Sequence, residues 1–153
     1  MDLLRPAQWR PAPTGRERAA QRGFTLMAIE EGTERAVGFV HVLEVGAVDQ
    51  GGLAHLEQLS VLPHVGRRGH GRRLVEAAAE DARHRGYDRM TLRTFADVPW
   101  NGPFYATCGF VESEPDTDFL RQLVEVERDH RLESARRRIQ MTRDLRGADL
   151  SAG

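Results

Sequence analysis

The sequence predicts an α/β domain built on one mixed central sheet with helices on its faces. Two observations carry this. Residues 54–95 read as strand, loop, helix and strand, a βαβ unit that is normally parallel and right-handed. Ala36–Val45 sets Phe39, His41, Leu43 and Val45 on one face, with Val40 and Val42 on the other. A strand apolar on both sides belongs inside a sheet covered on both faces.

Residues 1–23 are rich in proline and arginine and show little periodicity, which reads as an irregular arm. A short helix at Thr14–Arg22 is expected there, and no strand. The folded domain is expected over 24–146, followed by a flexible tail at 147–153. Phe24–Ile29 reads as a strand closed by a polar turn at Glu30–Glu34. Gly46–Gly52 is a turn-rich loop, and Ala54–Leu62 is the next strand. A helix from Gly69 to about Arg85 sets Leu74, Ala78 and Ala82 in one stripe, joined by Val75 and Ala79. Gly86 is placed to end it. Arg89–Phe95 alternates as a strand, Pro99–Cys108 reads as a short helix, and Gly109–Glu112 opens another strand. Asp118 can cap a charged helix reaching about Arg136, and Arg138–Leu145 reads as the last strand. Met27, Met90 and Met141 read as core filling.

Chemistry concentrates first in Val65–Arg72, a loop with three glycines in six residues that opens a helix. Unpaired N–H groups and the dipole at a helix start favour an anion. Arg67, Arg68 and Arg72 add phosphate contacts. The chain is therefore expected to hold a phosphorylated ligand. A dinucleotide reading fails because Leu74 stands where a third glycine is needed, and no Gly-Lys-Ser/Thr follows for a Walker loop.

Flanked by the strand His55–Pro63 and by Asn101–Phe110, in which Tyr105 precedes Gly109 by four residues, this loop resembles the GNAT superfamily of acetyl-CoA-dependent N-acetyltransferases. The resemblance runs from about Phe24 to Leu145. It implies that the strands near 54–62 and 89–95 splay apart, with the pantetheine arm in the gap along Leu59, Ser60 and Val61. Arg67, Arg68, Gly69, His70, Gly71 and Arg72 would cradle the pyrophosphate, and Asn101 would contact the cofactor arm. Two departures stand out. Gly66 occupies a place where the family usually has Gln or Arg, and few residues precede Phe24. A missing first strand would leave a sheet edge open, which favours a homodimer or an added cover.

The reaction sets its own demands. A lysine-type amine has a reference pKa of about 10.4, so freeing its lone pair at pH 7 costs roughly 4.6 kcal/mol. Glu57 and His55 lie two apart on one strand and so share a face. By the resemblance, Glu57 is the first choice of base and His55 the second, each acting through water. The same two residues also read as a polar pair on a wet sheet face. Tyr105 matches the family tyrosine that protonates the leaving thiolate, and it also reads as a packing tyrosine. Asn101 equally suits a helix N-cap. Cys108 reads as a buried apolar residue, and Trp100 as packing or a wall of the acceptor site. Arg136, Arg137 and Arg138 read as a solvated helix end.

Composition bounds the rest. The chain has 153 residues, 40% hydrophobic and 29% charged, and a formal net charge of −1. One domain is expected. The near-neutral balance disfavours nucleic-acid binding. One cysteine excludes an internal disulfide and fits a reducing compartment. The histidine spacing fits no metal motif. No apolar run reaches membrane-span length, and Met1–Pro6 lacks a signal-peptide core, so the cytoplasm is expected. The first functional reading is acetyl-CoA-dependent N-acetylation of a primary amine on a small molecule or peptide. The second is a non-catalytic acyl-CoA-binding or partner-binding domain.

Overall fold

The computed structural model describes residues 2–6, 22–63, 69–129 and 137–146, with the backbone alone at 2–6 and 129. The expected Thr14–Arg22 helix falls outside the described residues except at Arg22, and so do Arg67, Arg68 and the 147–153 tail. Seven strands and three helices follow one another as β1 (Asp2–Pro6), β2 (Arg22–Glu30), β3 (Arg35–Val45), β4 (Leu53–Val61), α1 (His70–His84), β5 (Arg89–Phe95), α2 (Gly102–Thr107), β6 (Val111–Ser113), α3 (Asp118–Asp129) and β7 (Arg138–Asp144) among the described residues. The α/β class expected from the sequence is the one found. The chain divides into two compact units, Met1–Met90 with Leu145–Gly153, and Thr91–Asp144.

In the first unit β1, β2, β3 and β4 lie in that order, each antiparallel to the next. β1 corrects the expectation that no strand precedes Phe24. Asp2 lies opposite Glu30 and Pro6 opposite Leu26, so the chain itself covers that edge of β2. Proline is tolerated on an edge strand, where one side needs no N–H. β3 buries the consecutive residues Val40, His41, Val42 and Leu43, as a strand covered on both faces must.

Helix α1 packs on β2, β3 and β4 through buried Leu74, Val75, Ala78, Ala79 and Ala82. Gly38 permits this approach, since a Cβ there would lie 3.3 Å from Leu74 Cδ1 and 2.7 Å from the Ser60 carbonyl oxygen. Gly86 ends the helix as expected, at φ 100°, and the Tyr87 N–H reaches back to the Ala82 carbonyl at 3.1 Å. A polar clasp then fixes that end. Arg85 donates to Asp81 and to Glu44, both at 2.9 Å, and stacks 4.1 Å above the Phe24 ring. Tyr87 donates to the other Glu44 oxygen at 3.1 Å.

The second unit orders its strands β5, β7, β6, with Val111 of β6 opposite Thr142 of antiparallel β7. Thr117, rather than Asp118, caps α3: its hydroxyl accepts the Leu120 N–H at 3.1 Å. Asp118 instead pairs with Arg121 at 2.8 Å. Arg137 and Arg138 correct the reading of a solvated helix end, because Arg137 pairs with Glu112 and Arg138 begins β7. Arg138 donates to Glu127 at 2.8 Å and lies 4.7 Å above the Phe95 ring. Arg93 grips the same carboxylate at 3.0 and 2.8 Å, tying α3 to β5 and β7.

Burial alone would raise the Glu127 carboxyl, yet the hydrogen bonds and charges of Arg93 and Arg138 outweigh it and hold its pKa below the usual range. Its ionised form therefore stabilises the fold above the unfolded carboxylate pKa. That contribution is lost as pH falls through the lower folded value. Removing one member of a fully buried ion pair costs several kcal/mol, and partial exposure here lowers the expectation to about 2 kcal/mol for Glu127→Ala. Urea melts at pH 7 and pH 3.5 check this. The advantage of the wild type over the variant is expected to be smaller at the lower pH, and equal midpoints at pH 7 would refute it.

Candidate active site

The site begins on β4, whose character changes midway. Leu53, Ala54, His55 and Leu56 are buried, whereas Gln58 and Ser60 are exposed and Glu57, Leu59 and Val61 are half-buried. Between these halves the β3–β4 register slips. His41 faces Gln58 and Val42 faces Leu56, which leaves Glu57 as the extra residue of a bulge. Bulges interrupt the ladder and re-aim a side chain. His55 Nε2 lies 4.0 Å from Glu57 Oε2, with the imidazole 3% and the carboxylate 17% exposed. The two residues expected to share a face are thus together. Their separation exceeds direct hydrogen-bond length.

The same strand turns backbone groups outward. The Leu62 N–H bonds the Val37 carbonyl at 2.8 Å, continuing the register that pairs Val61 with Gly38 and Val40 with Leu59. Antiparallel pairs alternate between bonded and non-bonded. The N–H and C=O groups of Leu59 and Val61 therefore point away from β3, while those of Ser60 point toward it. Ser60 accordingly offers an exposed side chain and no outward backbone.

At the start of α1, Gly69 sits at φ 81° and makes no side-chain cap. The Arg73 N–H bonds the Gly69 carbonyl at 3.0 Å, so the N–H groups of Gly69, His70, Gly71 and Arg72 precede the first intrahelical bond. Among the described residues nothing lies within 4 Å of a Cβ built on Gly69. His70 is buried, so its part in any cradle is its backbone N–H; Arg72 is exposed.

The second unit carries Asn101 and Tyr105. Asn101 holds the N-cap position of α2, its carbonyl accepting the Tyr105 N–H at 2.9 Å, but its side chain does not cap. Thr94 Oγ1 instead donates to Asn101 Oδ1 at 2.7 Å, which fixes that oxygen as an acceptor and the amide nitrogen as the donor. Tyr105 is 9% exposed, edge-on to Phe104 and Phe110 at centroid distances of 5.2 and 5.8 Å. Burial, with a lesser contribution from Cys108, pushes its phenol up to about 12. Cys108 is buried. Trp100 corrects the packing reading, since 74% of it is exposed on the turn before α2.

Sequence reading missed one polar element. Thr25 Oγ1 and His41 Nδ1 form a buried hydrogen bond of 2.7 Å across β2 and β3. Sixteen residues separate them, so only strand register reveals the pair. Among the described residues no group of three or more His, Cys, Asp or Glu side chains could hold a metal ion, and no helix is long and apolar enough to cross a membrane.

The fold is shared with solved acetyltransferases. Nourseothricin acetyltransferase superposes with a TM-score of 0.62 at 23% identity, over 80% of this chain and 65% of that one. The chain thus spans about two thirds of that protein's length. The IAA acetyltransferase of Bacillus cereus ATCC 14579 gives a TM-score of 0.68 at 19% identity, over 94% of this chain and 99% of the other. A Bacillus subtilis acetyltransferase in complex with CoA also gives 0.68, at 16% identity and the same coverage. The model of the acetyltransferase (GNAT) family matches residues 2–110, more than half of the chain and including β1, the β4 bulge, the α1 start and Tyr105. The chain belongs to the GNAT acetyltransferase family.

Proposed function

We propose that this chain transfers the acetyl group of acetyl-CoA directly to a primary amine of a small molecule or peptide. The observation that supports this most is on β4. One strand offers the outward backbone of Leu59 and Val61 and, two residues earlier, the bulged carboxylate of Glu57. Backbone amides suit the amide groups of a pantetheine arm, and the carboxylate suits an amine. Acetyl-CoA supplies the activated acyl carbon.

Each residue then has a task. The N–H groups of Gly69, His70, Gly71 and Arg72 hold pyrophosphate oxygens, with Arg67, Arg68 and Arg72 adding charge. Asn101 donates to a carbonyl of the arm. Glu57 takes the ammonium proton through water, with His55 beside it, and the freed amine attacks the acetyl carbon. As the carbon–sulfur bond breaks, the Tyr105 hydroxyl donates to the leaving sulfur. Trp100 walls the acceptor side.

Calorimetry with acetyl-CoA and a thiol-release assay across amines, polyamines, amino acids and peptides test the proposal together. Binding is expected, as is thiol release that rises with one class of amine. Gly69→Val places a β-branched residue at a positive φ and fills the space an anion needs. A left-handed non-glycine residue alone costs roughly 1–2 kcal/mol, so affinity should fall tenfold or more. Tight binding with no amine-dependent release would favour the acyl-CoA-binding module.

A further inference from the structure

We infer that Met27, Phe39, Gln58 and Ser60 seat the body of the acceptor, and that this acceptor is an amine with one positive charge on an apolar chain or ring. The inference rests on reading the chain as an amine acetyltransferase. Exposure and strand register carry it together. Helix α1 covers one face of β2, β3 and β4, the face on which a Cβ at Gly38 would meet Leu74. Phe39 and His41 alternate with Gly38 and Val40, so their side chains lie on the opposite face. Met27 and Thr25 stand across from them on β2, and Ser60 and Gln58 on β4.

Exposure divides that opposite face in two. Thr25, His41, Leu43, Leu53 and His55 are buried at one end. At the other, Met27 and Phe39 are half-buried and Gln58 and Ser60 are exposed. Glu57 lies at the boundary, because the bulge sets two successive side chains, Glu57 and Gln58, against the single residue His41. Diagonal cross-strand neighbours lie roughly 7–8 Å apart, which puts Phe39 about that far from Gln58. The open part is apolar and neutral. Met27 and Phe39 offer a thioether and a ring to a hydrocarbon body, and Gln58 and Ser60 offer uncharged hydrogen bonds at its margin. Among the described residues on this face of β2, β3 and β4, Glu57 is the only acid. An ammonium at Glu57 is therefore matched, whereas a second one farther along the body loses water and gains no carboxylate. The lining selects against polyamines and aminoglycosides.

Hexylamine and hexamethylenediamine test this on the full chain with acetyl-CoA, because they differ only in a terminal ammonium. kcat/KM is expected to be roughly tenfold higher for hexylamine. From propylamine to hexylamine it should rise about twofold per methylene, less than the roughly fourfold of full burial because the face is half open. Phe39→Ala should lower the hexylamine-to-propylamine ratio severalfold, a ratio that a merely structural loss leaves unmoved. Ser60→Asp adds an acid beside Phe39 at an exposed position. It should favour the diamine over hexylamine by roughly threefold relative to wild type, and it carries the test if Phe39→Ala does not fold. A wild type that turns over the diamine as well as hexylamine, or ratios unchanged in both variants, would overturn the seat while leaving acetyl transfer in place. Failure of every amine to release thiol overturns the transfer reading itself, a distinct outcome.

Discussion

Replacing Tyr105 by phenylalanine lowers kcat roughly ten- to thousandfold, the range for loss of one positioned proton or hydrogen-bond donor. Acetyl-CoA affinity should hold, because the ring contacts with Phe104 and Phe110 survive and only the hydroxyl goes. The size of the effect follows from two acidities. Tyr105 is pushed up to about 12 by burial, whereas a thiol of cysteine type sits near 8.5, so complete proton transfer to the thiolate is uphill by roughly 5 kcal/mol. On the proposed reaction Tyr105 is therefore expected to stabilise the departing sulfur by donating a hydrogen bond, helpful without being indispensable. The raised pKa also fixes a pH signature. The neutral phenol persists in the folded chain as pH passes the ordinary tyrosine value near 10. Its contribution to stability is complete below that value and is lost as pH rises toward about 12. A pH–rate profile should accordingly show no Tyr105-dependent fall below about pH 11. A falling limb near pH 9 that vanishes in Tyr105→Phe would contradict the assignment.

Glu57→Gln should cost about a hundredfold in kcat at pH 7, a typical share for general-base catalysis. The loss should shrink as pH approaches the amine's own pKa, where solvent already supplies the free base. His55→Ala should cost less, because His55 is second to the carboxylate that the bulge re-aims. Profiles of kcat/KM from pH 6 to 10 for both variants check the ranking. A larger loss in His55→Ala moves the role to the imidazole, and wild-type rates in both leave solvent as the base.

Much of this was legible in the sequence because the signals are local. The Gly69–Arg72 helix start, the Gly86 stop and the alternation that pairs His55 with Glu57 each depend on residues a few positions apart. β1 was illegible because its strand partners lie 20 to 28 residues away and its own residues show no alternation. The bulge at Glu57 left no trace either, since a slipped register is a property of two strands. The Thr25–His41 bond was hidden for the same reason. Trp100 misled because a tryptophan is usually packed, while here the turn that carries it faces outward. The capping of α3 by Thr117 shows the same limit at short range, with two candidate residues side by side.

Single turnover with isotope-labelled acetyl-CoA reads out whether the acetyl group passes directly to an amine. All 22 cationic side chains are arginines, so the chain offers no lysine to accept label itself. Intact-mass measurement of the protein therefore reads any acyl-enzyme cleanly. Buried Cys108 is no route to one. Direct transfer gives one label on the acceptor nitrogen for each thiol released, with the protein mass unchanged at every time point. Label appearing first on the protein, or recovered only as free acetate, would contradict it.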